Sequence, residues 1–121
     1  MNRQLEVINW SSALPRPIKA RTCDSFFCRL RGLMFRAHIA ADEGLLFVLT
    51  RENRLDASIH MFFVFTNLAV IWINTGGDVV DSVLARAWHP AYFPKEPAKY
   101  ILELSPDRLG EFKVGDKIKF E

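Results

Sequence analysis

Ser58–Asn74, SIHMFFVFTNLAVIWIN, is the stretch whose reading decides the fold, because it is the longest run with no charged residue other than a histidine. Its apolar core from Met61 to Ile73 is interrupted by Thr66 and Asn67, and it falls well short of the ~20 residues that a membrane-spanning helix needs. The spacing predicts two strands instead. Ile59, Met61, Phe63 and Phe65 point one way, and Ser58, His60, Phe62, Val64 and Thr66 point the other. Large apolar groups on both faces require cover on both faces. Leu68–Ile73 behaves likewise, and Asn74-Thr75-Gly76-Gly77-Asp78 supplies the flexible residues of a turn into a further strand. The expectation is a hairpin at the centre of a sheet.

Outward from this centre, Gln4–Asn9 alternates as a first strand and is stopped by Ser11–Pro17, which carries two prolines. Ile18–Cys23 reads as a short second strand. Cys23, Phe26, Phe27, Leu30, Leu33 and Met34 then recur at the spacing of one helix face and are expected in the core. Thr22 or Asp24 can cap this helix, and Gly32 can take a left-handed conformation near its end. Gly44–Leu49 is a buried strand, and Arg51–Asp56 a charged connection. Val79, Val80, Val83 and Leu84 continue the sheet. Trp88–Pro97, WHPAYFPKEP, has three prolines and four ring-bearing residues, so it cannot be a central strand. Lys99–Leu104 and Asp116–Phe120 alternate again. With seven to nine short strands and one main helix, the pattern predicts an α+β, mainly β fold: a small curled, mainly antiparallel, barrel-like sheet.

At 121 residues the chain is expected to form a single domain over 1–121. A hydrophobic fraction of 50% and a charged fraction of 25% are those of an ordinary globular protein. The N-terminus has no continuous apolar segment, so a cytoplasmic location is expected. Cys23 and Cys28, placed on one helix start, diverge around its axis and are expected to stay as free thiols in a reducing compartment. A net charge of +2 does not by itself call for a polyanionic partner.

Several pieces in order resemble the family catalogued as domain of unknown function 192. They are Arg29-Leu30-Arg31-Gly32-Leu33-Met34 with Phe35-Arg36, Glu43-Gly44-Leu45-Leu46-Phe47, Ser58-Ile59-His60, Tyr100-Ile101-Leu102-Glu103-Leu104 and Val114-Gly115-Asp116. The resemblance covers about 18–120. It implies a compact, mostly β domain with a helix ending at the Gly-Leu-Met segment, and it implies no reaction. Where the family carries an aspartate entering the second hairpin strand, an ungapped alignment puts Ala69, whose methyl can neither accept a proton nor bind a cation. Asn67 is the residue placed to take over part of a structural role there.

The chemistry-bearing residues give no catalytic set. His38, His60 and His89 lie on three separate elements without paired spacings, so no metal and no cofactor is expected. Ser58 shares a face with His60, but no nucleophile motif surrounds it. The leading expectation is a binding or accessory module, leaning away from an enzyme. Its recognition surface is the Trp88–Pro97 loop near His60, with Asn67, Arg86, Trp88, His89, Tyr92 and Phe93 as contact residues. The partner is an unidentified protein or small molecule, with no membrane role and no assigned oligomeric state. One alternative is a small hydrolase or lyase using His60 or His89 as base. Another is weak nucleic-acid binding through Arg16, Lys19, Arg21, Arg29, Arg31 and Arg36, which face only Asp24; a solvated surface is favoured over that reading.

Overall fold

The computed structural model describes residues 3–121; the Phe26 side chain lies outside the described part, and with it the expectation that Phe26 packs in the core. The strands are β1 (Gln4–Asn9), β2 (Lys19–Cys23), β3 (Glu43–Asn53), β4 (Leu68–Ile73), β5 (Val79–Ala85), β6 (Ala98–Leu104) and β7 (Ile118–Phe120). They form one seven-stranded sheet in the order β5-β4-β6-β3-β2-β1-β7. Every pairing is antiparallel except β2 with β3, whose crossover carries the helix α1 (Phe26–Arg31). A parallel pair needs such a crossover, because a tight turn can join only antiparallel neighbours. The sheet curls until its two edges meet at one end. There the Val79 N–H donates to the Asp116 carbonyl at 2.9 Å, and the Ile118 N–H to the Gly77 carbonyl at 2.7 Å.

Curling creates two cores. Inside the barrel lie Val7, Ile18, Leu46, Ile71, Ile73, Leu102 and Leu104, closed at one end by Phe112, which follows the 3-10 helix Pro106–Glu111. On the outer face, Leu45, Phe47, Leu68, Val70, Trp72 and Ile101 pack beneath Leu33, Met61 and Val64. Strand β4 is buried along its whole length because it serves both: Leu68, Val70 and Trp72 face outward, Ala69, Ile71 and Ile73 inward. The demand for cover on both faces is met here, and the Asn74–Gly77 turn leads into β5 as its residues predict.

Three expectations need correction. Residues 58–66 are not a strand: only Ile59 makes a bridge, to Tyr92, and the rest turns with Phe63 at φ 60°. The place beside β4 that a hairpin partner would occupy is taken by β6, arriving from far along the chain. Helix α1 is only six residues long, so the three-and-four spacing outruns it. Cys23 belongs to β2, while Phe27 and Leu30 are exposed instead of buried. The N-cap is Ser25, whose hydroxyl accepts the Cys28 N–H at 3.1 Å, and not Thr22 or Asp24. Lastly, Cys23 and Cys28 are joined in a disulfide. The strand ends at Cys23 and the chain reverses through Asp24-Ser25 into the helix, which brings the two Cα atoms to 5.6 Å, within disulfide reach. Strand β3 also extends past Leu49 to Asn53, through an irregularity between Val48 and Asn53.

Candidate functional site

The outer face carries an aromatic cluster on three loops. Phe35 follows α1, Phe63 and Phe65 stand on the turn before β4, and Trp88 follows β5. Ring centroids lie 5.6 Å apart for Phe35 and Phe63, 5.0 Å for Phe63 and Trp88, and 5.6 Å for Phe65 and Trp88. Yet Phe35 is 62% exposed and the other three between 44% and 48%. Three of the four, Phe35, Phe63 and Trp88, have φ between 60° and 68°; among the described residues no other non-glycine residue has positive φ. For a bulky side chain that region is disfavoured by roughly 1–2 kcal/mol, and such strain gathers at functional positions. It is held by backbone hydrogen bonds that stitch the loops together: Phe35 N–H to the Phe63 carbonyl, Phe65 N–H to that of Arg36, and Trp88 N–H to that of Met61.

Beside this cluster, between α1 and residues 55–61, opens a cavity of about 310 Å³. Leu33, Phe47, Met61, Val64, Leu68 and Ile101 make its apolar walls, and Arg29, Arg31, Asp56 and His60 stand among its polar lining. Glu103 lies in its wall, 4% exposed, on the outer side of β6 in register with Ile101. No hydrogen bond or ion pair reaches its carboxyl among the described residues, and burial pushes its pKa up to about 8. The space above the carboxyl exists because residue 32 is glycine. A Cβ there would sit 3.9 Å from Glu103 Oε1 and 3.3 Å from the Phe47 ring. Gly32 ends the helix at φ 49° and ψ −125°, a positive-φ conformation that suits glycine but lies outside the left-handed helical region expected there.

The residues singled out in the sequence are divided between these two places. Residues 88–92 run beside 59–61, tied by paired backbone bonds between Ile59 and Tyr92 and by the Met61 N–H to the His89 carbonyl. His89 stacks on Tyr92 with centroids 4.3 Å apart, and the Tyr92 hydroxyl accepts the Arg86 N–H at 3.0 Å. Trp88 and Phe93 are exposed and do not plug the barrel. Asn67 is a strut, its Oδ1 accepting the Ala87 N–H at 3.0 Å. His60 turns toward the cavity. Its Nδ1 accepts the Phe62 N–H at 3.2 Å, which leaves the proton on Nε2, 3.1 Å from the Leu30 carbonyl. Both ring nitrogens are thereby occupied, and neither His60 nor His89 bonds a carboxylate among the described residues. No cluster of three metal-ligating side chains occurs among the described residues, and no helix among them is long and apolar enough to cross a membrane.

The basic residues do not form a single open face. Arg21, Arg31 and Arg36 surround a hollow beside the disulfide, with Arg36 bonded to Glu43 at 2.7 Å, while Arg16 lies elsewhere beside Glu6. Ala69 is sealed inside the barrel opposite Leu104, with no access to the cavity. Of the two acids that line the cavity, Asp56 is exposed and Glu103 buried, and in the sequence Glu103 stands out only as part of a family motif. Its signal is the alternation of KYILEL, which aligns an acid with Ile101 on a face that must be covered. Phe35 and the Phe63–Phe65 turn also go unrecognised as surface groups, because their spacing imitates a buried helix end and a strand.

A family model, DUF192, described as an uncharacterised ACR, matches residues 7–120. A UPF0127 protein of Thermococcus gammatolerans is 48% identical over 100 residues, which make up 81% of this chain and 63% of that protein. The chain thus spans just under two thirds of that relative's length. One from Pyrococcus horikoshii is 38% identical over 117 residues, covering 94% of this chain and 97% of its own. Among solved structures, a protein of unknown function from Novosphingobium aromaticivorans superposes with a TM-score of 0.82 at 21% identity, covering 98% of this chain and 84% of that one. A Sinorhizobium meliloti protein put forward as a transcription regulator gives a TM-score of 0.82 at 20% identity, with 99% and 94% covered. At those identities the likeness is one of fold.

Proposed function

Since this chain belongs to the DUF192 family, whose description assigns no reaction, we propose from its surfaces that it is a binding or accessory module acting through the aromatic face of Phe35, Phe63, Phe65 and Trp88. The observation that carries the reading is the backbone of that face: three bulky residues stand in a disfavoured conformation and hold rings about half open to water. Folding alone would favour glycine or asparagine at those positions. A rigid, stitched aromatic platform loses little entropy on binding and offers the ring types that dominate interface energetics. The partner is a protein, with Arg86 and His89 at the rim supplying polar contacts.

A photoreactive benzophenone side chain at position 88, compared with one at the exposed position 113, tests this in cells. Adducts of defined mass from position 88 and none from 113 are expected; equal adducts from both, or none from 88, would end the reading. An adduct at twice the chain mass of 13.9 kDa assigns the partner to a second copy. We place the module in the cytoplasm of an organism like its Thermococcus and Pyrococcus relatives. Intracellular proteins of hyperthermophilic archaea are disulfide-rich, so the Cys23–Cys28 pair is compatible with that setting, whereas in a mesophile it would speak for an oxidising compartment.

A further inference from the structure

We propose that the cavity beneath α1 is a binding site, separate from the aromatic face, for a small and predominantly apolar molecule that ends in a neutral amide or similar carbonyl group received by Glu103. At about 310 Å³ the cavity reaches the lower end of the range used by small-molecule sites. Its walls are the apolar side chains of Leu33, Phe47, Met61 and Ile101, which suit an apolar body. At the wall stands one polar group that the protein does not use. Buried polar side chains are nearly always hydrogen-bonded, but the carboxyl of Glu103, a residue only 4% exposed, has no partner among the described residues. Among the described residues no buried side-chain oxygen is sealed off unpaired, so the little of this carboxyl that remains accessible opens on the cavity it lines.

The chemistry of the group selects the ligand. Arg29 and Arg31 stand on α1 and Asp56 and His60 on the facing loop, and none of them makes an ion pair with Glu103. With no cation beside it and water mostly excluded, the carboxyl keeps its proton near neutral pH. A neutral carboxyl offers one O–H donor and a carbonyl acceptor. A primary amide presents the complementary pair, an acceptor oxygen and an N–H donor, and satisfies both without bringing a charge into the apolar site. Gly32 keeps the approach clear, since a side chain there would lie over the carboxyl.

Benzamide, benzoate and benzylamine share one ring and differ only in the head group, so they separate the possibilities. Each is titrated into the protein at pH 7 while the methyl resonances of Leu33, Met61, Val64 and Ile101 are followed by NMR. Saturable shifts are expected with benzamide, at least tenfold weaker binding with the other two, and loss of the benzamide response in Glu103→Leu, with Glu103→Gln retaining most of it. No saturation by any of the three, or an unchanged response in a folded Glu103→Leu, would overturn the site. Tighter binding of benzylamine than benzamide would overturn the ligand class, because the site would then be one for cations. The aromatic face enters none of these readouts, so the outcome is independent of the crosslinking result.

Discussion

The inside and the outside of the barrel treat a buried ionisable group in opposite ways. Arg108, on the 3-10 helix, is 1% exposed, and each of its three guanidinium nitrogens donates a hydrogen bond. Its Nε donates to both oxygens of Glu111 at 2.8 Å, Nη2 to the Arg16 carbonyl at 2.7 Å, and Nη1 to the Ala41 carbonyl. It fastens the segment before β2, the segment before β3 and its own helix into one plug. Glu103, two residues before Ser105 at the end of β6, is buried nearly as deeply and bonded to nothing among the described residues. The same chain thus pairs one buried ionisable group through every nitrogen of its head and leaves the other without a partner among the described residues. Local rules are kept inside the barrel and broken outside it, and in folded proteins such breaches concentrate where function resides.

The comparison breaks most easily at Arg108. Replacing one partner of a buried, hydrogen-bonded pair leaves the others desolvated and unpaired, at a cost of about 3–5 kcal/mol. Arg108→Leu should therefore lower the melting temperature by more than about 10 °C. A shift of only a degree or two, read by calorimetry, would mean that the bonds around Arg108 are incidental to the barrel.

Glu103 sharpens the contrast because its effect has the opposite sign. Its folded pKa of about 8 lies above the ordinary carboxyl value of 4.5, so between those limits the native state holds a proton that the unfolded chain has released. Its contribution is fully present below the ordinary value, and stability falls as pH rises through the window, by at most about 1.4 kcal/mol per pH unit. Asp116 works the other way: the Asn9 amide first, then the Lys113 N–H, hold its pKa low, so its contribution disappears only in acid. Glu103→Gln, neutral throughout, should lack the decline and be the more stable protein at pH 8.5. Denaturant unfolding of both proteins at pH 5.5 and 8.5 checks this; parallel pH dependences would show that Glu103 is ionised and paired in solution.

How much of this the sequence makes legible follows from how local each feature is. β1, β4 and β6 are readable because period-two alternation is a property of the strand itself, and the turn at Asn74–Gly77 because its residues suit it. Residues 58–66 mislead because Ile59, Met61, Phe63 and Phe65 alternate as a strand would, while the partner beside β4 comes from β6, a choice made by the whole fold. The cysteine pair is lost through an error of one element: on one helix the two diverge, across a strand-to-helix turn they meet. Of the candidate site, the irregular 88–97 loop can be read from its prolines, while its pairing with residues 59–61 beside His60 is set by the fold. Glu103 cannot be recognised as buried from β6 alone, because the helix and loop that cover it are brought there by the β2–β3 crossover and by the chain before β4.

The smallest expected effect on stability is the most informative about the aromatic face. At Phe63, with φ 60° and a ring 44% exposed, two terms nearly cancel. Replacing it by glycine relieves roughly 1–2 kcal/mol of left-handed strain. Against that stand the loss of ring contacts with Phe35 and Trp88, worth roughly 0.5–1.5 kcal/mol each when well packed and less at a half-exposed site, and the greater freedom of glycine in the unfolded chain. Phe63→Gly should therefore leave stability within about 1 kcal/mol of the parent, in contrast to the large loss at Arg108, while the crosslink from position 88 disappears. A destabilisation above about 2 kcal/mol, comparable to truncation of a buried ring, would mean that Phe63 is part of the core and that its strain serves packing. Near-unchanged stability with the crosslink lost would mean that the strain is maintained for the partner, since the fold gains almost nothing from the ring that causes it.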